Sequence, residues 1–159
     1  MPGKPAILMA SIAIALAIGA GAWWYFTQQS TASGTPPAID ANDAALVTLG
    51  RQVYQAQCAA CHGANLQGEP NWQQRKPSGR LPAPPHDASG HTWHHADDLL
   101  FNLTKFGIAK VSGRPVETDM PIFDGVLSDR EIAASLAYIK STWPLEIRQR
   151  HAAMNARQK

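Results

Sequence analysis

Between Gly63 and His95 the chain reads GANLQGEPNWQQRKPSGRLPAPPHDASGHTWHH. Pro70, Pro77, Pro82, Pro84 and Pro85 interrupt it, and no apolar periodicity runs through it. It reads as loop. The folded part spans roughly 100 residues, and a domain of that size with so long a loop cannot build its core from side chains alone. Something else has to fill the middle.

The helices on either side are well marked. Over residues 43–58, Leu46, Leu49, Val53 and Tyr54 form one stripe, and Gly50 lies within it. A glycine there costs up to about 1 kcal/mol against alanine, which points to close contact with another backbone. A second helix is expected over 95–106, with Asp97 and Asp98 in its first turn, Lys105 in its last and Gly107 as its stop. Leu99, Leu100, Leu103 and Phe106 are its apolar residues. A third opens at Ser128 with Glu131 three residues on, a capping box, and runs to Pro144. No alternating strand pattern or internal repeat is present, so the fold class is all-α.

The only two cysteines lie in QAQCAACHGANL, directly before the loop. A thioredoxin-like redox pair needs its Cys-x-x-Cys at a strand-to-helix junction, and no such strand is readable here. A zinc site completed by His91 and His95 leaves 29 residues between Cys61 and His91, where about 12 are usual in a finger, and leaves His62 unused. Cys58-x-x-Cys61-His62 fits a c-type haem without remainder: two thiols for two thioethers and the next imidazole for the iron. A flat apolar macrocycle also supplies the missing core. For the sixth iron position, Met1 is the initiator, Met9 falls in an apolar N-terminal run and Met154 in a charged tail. Met120, in ETDMPIF, is the remaining thioether and the candidate distal ligand.

Residues 6–26, AILMASIAIALAIGAGAWWYF, contain no charge. As a helix they span about 30 Å, enough to cross a bilayer. Lys4 in the 1–5 segment places the N-terminus in the cytoplasm, and Trp23, Trp24 and Tyr25 suit the opposite interface. A signal peptide cleaved near Ala20-Gly21-Ala22 is the alternative. Either way, the domain is expected outside the cytoplasmic membrane, on the periplasmic side. Residues 27–41 read as a flexible linker, 42–145 as the haem domain and 146–159 as a basic tail forming a short solvated helix. The net charge of +2 does not suggest a nucleic-acid partner.

GRQVYQAQCAACHG followed by TDMPIFDGVLSDREIAASLAYIKSTWP resembles a bacterial, membrane-anchored, single-haem class I cytochrome c. The resemblance covers about 43–143. It implies one covalently attached haem c, His62 and Met120 as the iron's ligands, and a crossing of the first and last helices at which Gly50 meets Tyr138. It also implies a proline carbonyl that accepts a hydrogen bond from the proximal histidine, with Pro84 preferred over Pro82 and Pro85. Arg80 and the Trp93 indole are candidates for contact with the haem propionates. The expected function is not catalytic: single electrons pass between membrane-bound donor and acceptor proteins of a respiratory chain. A haem subunit of a dehydrogenase or oxidase, or a sensor or peroxidase with a labile Met120, stays open as an alternative. His86, His91, His94 and His95 are read as solvated or capping imidazoles, with a second metal site or a copper contact as the other possibility.

Overall fold

The computed structural model describes residues 36–157. The apolar segment 6–26 and most of the linker lie outside the described residues. Among those described there is no strand, and no helix is long and apolar enough to cross a membrane. Six α-helices follow in order: α1 Ala44–Gln57, α2 Ala59–His62, α3 Asp97–Phe106, α4 Ile108–Ser112, α5 Asp129–Ser141 and α6 Leu145–Ala156. A 3-10 turn, Thr92–His94, precedes α3.

α1 begins where Asp43 takes the amides of Ala45 and Leu46 on its carboxylate, at 2.9 and 3.0 Å. α5 begins with the capping box: the Ser128 side chain accepts from the Glu131 amide and the Glu131 carboxylate from the Ser128 amide. The two helices cross with almost nothing between them. A Cβ added at Gly50 would lie 1.9 Å from the Ala134 carbonyl oxygen and 3.0 Å from Tyr138 Cβ. The stripe glycine is therefore required by contact with the α5 backbone and with Tyr138. One turn on, the Tyr54 and Tyr138 rings pack with centroids 5.5 Å apart. Ala133, Ala134 and Ala137 are fully buried on α5, together with Ile132.

α3 buries only part of its apolar set and adds Phe101 to it. Leu100 and Phe101 enter the core, whereas Leu99 is exposed and Leu103 and Phe106 are half-buried. The larger Phe101 ring joins the cluster around α5, and Lys105 reaches Asp129 at 2.5 Å. The tail forms the expected helix, α6, but one side of it is docked. His151 is buried, its ring stands edge-on to Trp143 at 5.1 Å, and Asn155 Oδ1 accepts from the Asp97 amide at 2.9 Å.

Candidate metal centre

Cys58 ends α1 and Cys61 and His62 lie in the single turn of α2, so the break between the two helices sets the spacing of the three side chains. Both cysteines are free thiols, Cys58 half-buried and Cys61 exposed. Burial, and then the neighbouring Cys61, pushes the Cys58 thiol up to about 11. His62 is buried, and its Nδ1 lies 2.8 Å from the Pro84 carbonyl oxygen. A carbonyl only accepts, so Nδ1 carries the proton and Nε2 is left with its lone pair. Burial lowers the His62 pKa, against the opposing pull of the Pro84 bond and Glu69. Just after His62 the backbone is pinned again, by the Tyr54 hydroxyl donating to the Gly63 oxygen at 2.8 Å.

The loop that delivers Pro84 is ordered by polar contacts. The amides of His86 and Asp87 both donate to the Leu66 oxygen, at 2.8 and 3.2 Å, and the Glu69 amide donates to the Ala83 oxygen at 2.8 Å. The Glu69 carboxylate takes the Ala83 amide at 2.6 Å and the Lys76 ammonium at 3.1 Å; the first of these is the main cause that lowers its pKa. Leu66, buried at φ +67°, turns the chain sharply inward. None of these contacts was legible from the sequence, since Glu69 and Lys76 carry no diagnostic spacing.

Met120 is half-buried on the loop before α5. Its amide donates to Thr118 Oγ1 at 3.1 Å. Asp119 is ion-paired to Arg80, and at the other end the Asp124 amide donates to the Lys105 oxygen at 2.9 Å. Arg80 therefore joins the Met120 loop to the strand of prolines that presents Pro84. Trp93 Nε1 is a buried donor without a partner among the described residues.

A family model described as Cytochrome c matches residues 47–143, from α1 through α5 and just beyond. The chain belongs to the cytochrome c family. No curated protein and no solved structure matches it.

Membership brings covalently attached haem c as the cofactor and electron transfer as the activity, and cytochrome c domains are typically extracytoplasmic. The residues of this cytochrome c fit the group. Cys58 and Cys61 stand free in the attachment position, the imidazole next to them offers Nε2, and the unpaired Trp93 donor suits a carboxylate. Leu81 and Ile122, both exposed apolar side chains, flank the Pro84 and Met120 loops.

The four loop histidines divide, and His95 is half-buried with its ring edge-on to His91 at 5.4 Å. His91 stacks on Trp72 and His94 on Trp93, and both are exposed. Among the described residues, no group of three or more His, Cys, Asp or Glu is placed to hold a metal ion. His86 is half-buried. Its ring stacks on His62 with centroids 4.0 Å apart, and burial, followed by the facing His62 and His91, holds it well below the usual histidine range. A lone histidine directly after a pair of prolines gives no sequence signal for such a position.

Proposed function

We propose that this cytochrome c is a membrane-tethered carrier of single electrons, working on the outer face of the cytoplasmic membrane between membrane-bound respiratory complexes. The observation that carries the reading is the commitment of His62 Nδ1 to Pro84, which leaves Nε2 for the iron. In this reading Cys58 and Cys61 would form the two thioethers, His62 Nε2 and the Met120 sulfur would hold the iron, and Trp93 Nε1 would donate to a propionate. When bound, the haem supplies a one-electron couple whose potential the thioether ligand raises.

The chain's own residues keep that couple closed. Pro84 orients the imidazole, while the Arg80–Asp119 pair and the Thr118 contact hold the loop that offers the Met120 sulfur. A methionine held at both sides favours a carrier, in which the protein fills the sixth position, over an enzyme that opens it. The uncharged run 6–26 and the polar linker support the tether. Tethering raises the concentration felt by a partner to about millimolar without tight binding.

The experiment is optical spectroscopy of membranes washed in high salt. The protein is expected to stay in the membrane, to show the near-infrared charge-transfer band of methionine-ligated ferric haem, and to bind carbon monoxide slowly or not at all. Met120→Ala is expected to lose the band, lower the reduction potential and bind carbon monoxide rapidly. Release by salt overturns the tether; rapid carbon monoxide binding by the unaltered protein overturns the carrier.

A further inference from the structure

We infer that His86 is a positioning residue for the proximal ligand, its ring holding the plane of the His62 imidazole from one face. The inference rests on the reading of His62 as an iron ligand and adds to it a residue that neither the attachment motif nor the family match assigns.

A single hydrogen bond at Nδ1 fixes where one nitrogen points but leaves the ring free to rock about the line from Nδ1 to the Pro84 oxygen. A flat group packed against the ring face removes that freedom. His86 is such a group, with its plane 25° from that of His62 and the centroids 4.0 Å apart. Stacked aromatic rings at this separation resist tilting more than an aliphatic contact does, because either ring can rotate only by driving its edge into the other.

A stop has to be firmer than the part it stops, and His86 is anchored at three points. Its amide donates to the Leu66 oxygen at 2.8 Å, its carbonyl accepts from Trp143 Nε1 at 2.8 Å, and its ring Nδ1 lies 2.7 Å from Thr92 Oγ1. Thr92 is buried, and its hydroxyl donates onward to the Pro85 oxygen at 3.4 Å, so it accepts from a protonated Nδ1 of His86. The Trp143 bond is the unusual one: it ties the residue behind the ligand to the end of α5, across 57 positions of sequence. A half-buried imidazole placed only to fill space would gain nothing over an apolar residue. Here the ring's Nδ1 is spent on Thr92, which fixes the ring.

The orientation of an axial imidazole plane sets the rhombic splitting at low-spin ferric iron, so g-values read the plane directly. Two measurements on the haem-loaded protein test the assignment. In the reduced, diamagnetic state, proton NMR is expected to show dipolar contacts between the His62 and His86 rings. In the oxidised state, His86→Phe, which keeps a flat face, is expected to retain the narrow low-field g feature of the unaltered protein. His86→Leu, which loses the face, is expected to about double its width as the ligand plane spreads. Both substitutions remove the Thr92 bond, so the difference between them isolates the face. Equal spectra for the two variants overturn the inference, whether both are normal or both broadened. Absence of the ring-to-ring contact in the unaltered protein overturns it too, and needs no variant to fold. If the His62 ring protons lack the large upfield shifts of an iron ligand, the ligand reading itself fails, a result separate from a missing contact between properly shifted rings.

Discussion

The crossing of α1 and α5 and the loop from Gly63 to His95 are both well ordered, by opposite means. At the crossing, order comes from one steric fact: backbone lies against backbone at Gly50 and Ala134, with fully buried alanines around it. In the loop, prolines remove amide donors and no ladder forms. Its amides are spent on scattered oxygens, those of His62, Leu66, Ala83 and Asp87 among them. Steric order of the first kind fails at a single position. Order built from separate hydrogen bonds, each worth about 1 kcal/mol, yields gradually.

Gly50→Ala tests the first half of that contrast and has the largest expected effect. The new Cβ would lie 1.9 Å from one carbonyl oxygen and 2.4 Å from its carbon, and neither can swing aside as a side chain could. The helices must part, at a cost of about 3 kcal/mol or more, read as a lower denaturant midpoint of the haem-loaded protein. An unchanged midpoint would show that the crossing adapts and that the contrast is false. Tyr54→Phe sits on the boundary between the two regions and should cost less, about 1 kcal/mol, because only the bond to the Gly63 oxygen is lost while the ring keeps its place against Tyr138. Faster amide exchange is expected at Gly68, whose amide bonds to the oxygen of His62, with α5 unaffected. Equal acceleration in α5 would mean that the regions act as one.

The same contrast explains what the sequence disclosed. The α5 capping box, the all-helical class and the demand for a close neighbour at Gly50 are local signals, carried by residues within a turn of one another. The resemblance to cytochromes c rests on the Cys58-x-x-Cys61-His62 motif, the Met120-Pro121 pair and the last helix, each of them local in sequence, and its family level is shown by the match over 47–143. What stayed hidden joins distant segments. Arg80 finds Asp119 across 39 positions, Trp143 finds His86 across 57, and Asn155 finds Asp97 across 58. No periodicity announces such pairs. The burial of Phe101 on α3 stayed hidden for a related reason: the apolar residues of a helix show which side chains can be buried, and the neighbouring helix decides which of them are.

α6 offers the finest test, because its docking is polar and depends on a proton. His151 Nε2 donates to the His95 oxygen at 2.9 Å, and its Nδ1 lies 3.3 Å from Asn155 Nδ2, so the docked imidazole is neutral with both nitrogens engaged. The groups that face it are Asp97 at the start of α3 and Lys140 on α5, themselves paired at 2.8 Å. Burial lowers the His151 pKa; Asp97 and the His95 bond oppose it, and Lys140 adds to it. The sign follows from proton counting. Below about 6.5 the undocked histidine takes up a proton that the docked one refuses. The docked state is therefore at full strength above that pH and weakens as pH falls, by at most about 1.4 kcal/mol per unit, until the docked pKa is reached. Amide exchange along α6, corrected for its intrinsic pH dependence, is expected to speed up between pH 6.5 and 5 while α1 and α5 hold. His151→Gln keeps a donor but has nothing to titrate, so its α6 should exchange at a pH-independent corrected rate. Identical pH profiles for the two proteins would show that His151 does not set the docking of α6, and would return that helix to the solvated tail its composition suggests.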